Sequence, residues 1–120
     1  MADRMLHVGW YAPARGREER AVEVFNESVG YYGRLQQEGR IENFDVCLLL
    51  PNGVSGGYFQ LHGSAEQIHA VREDKEFQRL MTAASLSVEG IRILQGYTGQ
   101  GVADQMALYQ EEIQKVPQAS

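Results

Sequence analysis

Residues 41–64 read IENFDVCLLLPNGVSGGYFQLHGS, and the alternation within this stretch decides the fold. Phe44, Val46, Leu48 and Leu50 alternate with Asn43, Asp45 and Cys47 ahead of a Pro51-Asn52-Gly53 breaker. Beyond Gly56 and Gly57, Phe59 and Leu61 alternate with Tyr58, Gln60 and His62. Successive side chains of a strand point to opposite faces, so period-two alternation on both sides of a turn signal predicts a β-hairpin with one apolar face. The second face carries Asp45, Cys47, Tyr58, Gln60 and His62, and it raises the question of function.

Upstream of the hairpin, MLHVGWY at 5–11 sets Leu6, Val8 and Trp10 against His7, Gly9 and Tyr11, a first strand closed by Pro13 and Gly16. From about 17 to 38 the period changes. Val22, Phe25, Val29, Tyr32 and Leu35 recur every three or four residues, and Glu18 and Glu19 sit at the positive end of the expected helix. Gly39 suits the helix's C-terminal residue of positive φ. Downstream, Ser64 with Gln67 three residues on forms a capping box, opening a helix striped by Ile68 and Val71. Asp74 starts a second helical piece that carries Phe77, Leu80 and Met81. GIRILQGYT at 90–98 alternates as a last strand; Gly96, Gly99 and Gly101 are expected to loosen the chain before a terminal helix over about 102–116.

The order strand, helix, strand, strand, helix, strand predicts an α+β, ferredoxin-like domain: a four-stranded antiparallel sheet of order 4-1-3-2 with both helices on one face. One domain, with a core over about 5–98, fits a chain of 120 residues that is 43% hydrophobic. The sheet's second face would expose Tyr11, Leu49, Tyr58 and Leu94, too much apolar surface to leave in water, so a cover is expected.

Charge and cysteine content narrow the partners. Sixteen acidic and 11 basic residues give a net charge of −5, which offers no hold for nucleic acid or an anionic membrane. The single cysteine cannot form an internal disulfide. The start, MADRMLHVGW, lacks the apolar run of a leader, and no stretch approaches the ~20 apolar residues of a membrane span, so a cytoplasmic protein is expected.

The strand MLHVGWYAP, the hairpin end GGYFQLHGS and the segment EDKEFQRLM resemble the dimeric α/β-barrel superfamily. That group includes antibiotic-biosynthesis-type monooxygenases, muconolactone-isomerase-like proteins and stress-induced barrel proteins. The resemblance spans roughly 5–98 by topology. It implies a homodimer in which two sheets face one another and enclose a cavity in each subunit, with the terminal helix near the partner. It implies no particular activity, because the superfamily hosts unrelated chemistries.

Placing the apolar residues on one face allows a register that pairs Val46 with Leu61, Leu48 with Phe59 and Val8 with Leu61. Asp45, His62 and His7 would then form a row across three strands, with Gln60 and Cys47 one pair along. A two-residue slip keeps the face and breaks the row. A carboxylate orienting an imidazole is the arrangement of a general base or acid, and histidine titrates near neutrality. Half-buried histidines bonded across a dimer contact are the structural alternative. Tyr11, Cys47, Leu49, Tyr58, Gln60 and Arg92 are the expected ligand-binding residues around the row.

No close-spaced pair of metal ligands occurs, so no metal is expected, and the absence of a cofactor motif predicts none. Trp10 reads as core and His69 as solvent-facing. Three functions follow: a homodimer binding a small apolar or aromatic molecule on the sheet face, a cofactor-independent monooxygenase or isomerase with His62 or His7 as base and Asp45 as its orienter, or a dimer whose faces fill one another.

Overall fold

The computed structural model describes residues 2–117 and 119. Its long strands are β1 (Arg4–Trp10), β3 (Asn43–Leu48), β4 (Gly57–Gly63) and β6 (Arg92–Tyr97), all antiparallel, in the order β3-β4-β1-β6. Among these four strands that is 4-1-3-2 read from the β6 edge. Two short strands, β2 (Ala12–Pro13) and β5 (Val88–Glu89), form a separate ribbon beside it. They escape a reading by periodicity because two residues have no period.

Helix α1 (Glu18–Gln37) and the pair α2 (Ala65–Glu73) and α3 (Lys75–Ser87) cover one face of the sheet. Ser64 and Gln67 make the reciprocal capping box, and the Asp74 carboxylate caps α3 by accepting from the Glu76 amide. Asp74 also accepts from the Tyr31 hydroxyl at 2.6 Å and from Arg40 at 2.8 Å, which ties the end of α1 to the α2–α3 joint. These bonds, Tyr31's first, hold the Asp74 carboxyl below its usual range.

The core lies between sheet and helices. Leu6, Val8, Phe59 and Leu61 meet Tyr32, Leu35, Ile68 and Val71, and the Phe59 ring sits 5.0 Å from Tyr32 and 5.3 Å from Phe25. The buried stripe of α1 runs through Ala21, Val24, Ser28, Tyr31, Tyr32 and Leu35. It is turned from the expected one at the helix start, so that Val22 faces outward.

Both registers are two residues away from the expected pairing. Val46 pairs with Phe59 and Phe44 with Leu61; Val8 pairs with Phe59 and Leu6 with Leu61. The apolar face is unchanged. What selects the register is Trp10, which pairs with Gly57: a Cβ on Gly57 would lie 2.9 Å from the indole Cζ2 and would collide with the Cys47 carbonyl.

The terminal helix α4 (Gln100–Ile113) leaves the body at the end of β6. Its root is fixed: the Thr98 amide donates to the Asp3 carbonyl at 3.1 Å, and the Arg4 guanidinium lies 4.6 Å from the centre of the Tyr97 ring. Gly101 is buried so close to the Asp3 carbonyl that a Cβ has no room, so this glycine packs the helix start and does not loosen it. The radius of gyration is 17.1 Å and the long dimension 55 Å. A rounded chain of this length has a radius of about 14 Å.

Candidate functional site

The uncovered face of the sheet holds the polar row in altered form. Asp45 pairs with Gln60, and Gln60 with His7; His62 lies opposite Asn43 and Met5. The expected row of Asp45, His62 and His7 is therefore changed at its centre: β4 is shifted by two residues against both neighbours, so Gln60 replaces His62 between Asp45 and His7. Asp45 and His62 still meet, along a diagonal: His62 Nε2 stands 3.0 Å from Asp45 Oδ2. A carboxylate only accepts, so Nε2 is the protonated nitrogen.

His7 belongs to a second group. Its Nδ1 lies 3.3 Å from Gln60 Nε2, its ring stacks on Tyr58 with centroids 5.2 Å apart, and its Nε2 occupies the space a side chain at Gly9 would need. An amide nitrogen donates, so Nδ1 accepts and the ring is neutral in this arrangement. Partial burial and then the nearby Arg92 charge lower the His7 pKa from its ordinary 6.5. Beside it, a hydrogen bond with Cys47 raises the Tyr58 hydroxyl.

The remaining expected residues lie at one end of this face. Arg92 is opposite Gly9 and reaches the Ser55 hydroxyl at 3.3 Å, while Tyr11 and Leu49 flank the hairpin end and are exposed. His69 is exposed on α2. Among the described residues no three of His, Cys, Asp and Glu gather within reach of one metal ion, and no helix is long and apolar enough to cross a membrane.

An apolar cavity of about 380 Å³ lies across the sheet, beneath the start of α1. It is a cleft open to solvent past Val22 and Leu48, and Val8, Trp10 and Phe59 of the sheet line it together with Ala21, Val24 and Phe25 of α1 and Met81 and Ala84 of α3. Asn26 and Ser28 are its polar side chains, and the Ser28 hydroxyl is spent on the Val24 carbonyl at 2.8 Å. Ala21 of α1 and Ala84 of α3 present small side chains to this space. Trp10 is thus both core, with its ring 5.7 Å from Phe59, and cavity wall. Small residues on two distant helices left no periodic signal from which to read this cavity.

No family model matches the chain, and no curated protein matches it in sequence. Among solved structures it is similar to a dimeric protein of unknown function and ferredoxin-like fold from Bacteroides fragilis. The TM-score is 0.58 at 11% identity, over 79% of this chain and 96% of that one. It is also similar to SnoaB, a cofactor-independent oxygenase from Streptomyces nogalater. A point variant of SnoaB gives a TM-score of 0.57 at 12% identity, over 82% of this chain and 93% of that one. A second SnoaB structure gives 0.50 at 15%. The chain accordingly has the ferredoxin-like fold, and its structural neighbours include a dimeric protein of that fold and a cofactor-independent oxygenase.

Proposed function

We propose that this chain forms a homodimeric α/β barrel, with the uncovered sheet face turned toward a second copy, and that each subunit binds one small apolar or aromatic molecule in the cavity beneath α1. The cavity carries the reading. Its volume of about 380 Å³ falls within the range of small-ligand sites, and its walls are almost wholly apolar. Homodimer formation is supported by the apolar residues of the uncovered face, with Leu94 57% exposed, and by the fold's dimeric neighbour.

Trp10 is the chain's single tryptophan and lines the cavity, so its fluorescence reports occupancy directly. Titration with a planar aromatic such as 2-naphthol is expected to change the Trp10 emission saturably. Ala21→Leu, which fills part of the cleft, should weaken that binding at least tenfold while leaving the fold intact. Unchanged affinity in the filled variant overturns the assignment of the site.

A second reading rests on the 3.0 Å contact between His62 and Asp45. It is cofactor-independent proton transfer or oxygenation, with His62 as base and Asp45 as its orienter, or with neutral His7 as base. Both histidines lie across the sheet from the cavity, so this chemistry would occur at the face shared by the two copies. His62→Ala separates the readings: it abolishes turnover in the enzyme and leaves 2-naphthol affinity unchanged in the binding protein.

A further inference from the structure

Two elements of the chain display apolar side chains that the fold leaves without a cover. The first is the β3–β4 hairpin tip. From Val46 to Ala65 there is no Asp, Glu, Lys or Arg, and Leu50 and Val54 at the turn are 85% and 72% exposed. Strand β3 is a sheet edge, where charged residues ordinarily guard against association. The tip also has a fixed shape. The Asn52 side chain donates to the carbonyls of Leu50 and Ser55 and accepts from the amides of Val54 and Ser55.

The second element is α4. Val102, Met106 and Tyr109 recur at i, i+4 and i+7 and make one apolar stripe, with Asp104 and Glu111 on the opposite side of the helix. Met106 and Tyr109 are 49% and 59% exposed on an arm whose root is pinned by Asp3, Arg4 and Gly101.

Tip and arm start at different corners of the sheet within one chain. The tip stands at the outer end of β3, and α4 leaves from the end of β6, at the opposite edge and the opposite end of the sheet. Viewed onto the uncovered face, they occupy diagonal corners. A two-fold axis between two such faces, along the other diagonal, crosses the strands of the two sheets near a right angle, an established packing of sheets. It also sets the root of each arm over the partner's tip. The contact occurs twice and closes on itself.

We propose that in the homodimer each α4 lies on the β3–β4 hairpin tip of the other copy, so that two arms clasp the barrel reciprocally. This rests on the homodimer reading above and adds to it the mutual orientation of the copies and the residues in contact. The occupant of the tip is a second copy of this chain because the same chain carries the complementary stripe at the symmetry-related corner.

The test uses full-length chains in which Cys47→Ala removes the native thiol. One chain carries Val54→Cys and the other Tyr109→Cys, both at exposed positions, and the two are co-expressed and oxidised. A disulfide joining position 54 of one chain to position 109 of the other is the expected product, identified by mass spectrometry of the non-reduced peptides. Disulfides only between two position-109 cysteines would place arm on arm and overturn the proposal. So would the absence of any disulfide in a protein that light scattering weighs as a dimer. A monomer at tens of micromolar defeats the homodimer reading itself, and the clasp with it. In the wild-type background, Val54→Glu and Tyr109→Glu should each raise the dimer dissociation constant about tenfold, and together little more than either alone. Multiplicative effects would overturn the contact.

Discussion

The two faces of the sheet are built from the same strands and obey different rules. On the covered face Phe59 touches Trp10, Phe25 and Tyr32, and a shift of one residue would break an aromatic cluster. On the uncovered face Gln60, the next residue of the same strand, makes a 3.3 Å contact with His7 and is half-buried. Packing specifies the first face; the second carries pairwise polar contacts, one between directly paired residues and one, Asp45 with His62, along a diagonal. The position of a functional group on the second face is therefore inherited from side chains it never touches.

The largest test of this contrast is truncation at adjacent positions. Phe59→Ala should destabilise the protein by about 4 kcal/mol, the transfer and cavity cost of a buried ring. Gln60→Ala should change it by less than about 1 kcal/mol in dilute solution, where the face is wet. Urea unfolding at equal protein concentration measures both. Similar losses at the two positions would mean that the uncovered face is as tightly packed as the core.

Next in size is Gly57→Ala. The added Cβ would press on the Trp10 indole and the Cys47 carbonyl, and overpacking of this kind costs about 1–3 kcal/mol. The same change should also disturb His7 and His62, because the Trp10–Gly57 pair fixes where both strands align. Ring-proton NMR shifts of the two histidines in the variant report this. Unmoved histidine signals would show that the polar contacts set the register themselves.

The same pair explains how far the sequence could be read. Alternation gives the faces, the four long strands and the helices, and Ser64 and Asp74 mark where α2 and α3 begin. It cannot give register, since a slip of two residues leaves every side chain on its own face. What fixes it is a bulky Trp10 that needs a neighbour without a side chain, and nothing in the local pattern marks Gly56 and Gly57 as room for an indole. The candidate site suffered accordingly. Asp45 and His62 meet because a diagonal contact compensates for the slip, whereas His7 turns to Gln60 and Tyr58. The cavity, lined by Ala21 and Ala84 from helices far apart in sequence, had no local pattern.

The smallest effect concerns protonation of His7. Burial first, and the Arg92 charge second, lower its pKa in the folded chain below the 6.5 of an unfolded histidine. Between those two values the unfolded chain binds more protons than the folded one, so unfolding becomes easier as pH falls. The stability His7 contributes is fully present above about pH 6.5 and is lost as pH falls through its lowered folded value. On a partly solvated face the total is below about 1 kcal/mol. Parallel urea titrations of the wild type and His7→Gln across pH 5–8 should show the wild type losing more stability on acidification, with the difference confined to that window. Titration of the His7 ring protons by NMR gives the shift independently, and Arg92→Gln should return only the smaller part of it, because burial is the larger cause. A full return in that variant would make Arg92 the dominant influence. The uncovered face would then be governed by long-range charge more than by its own contacts.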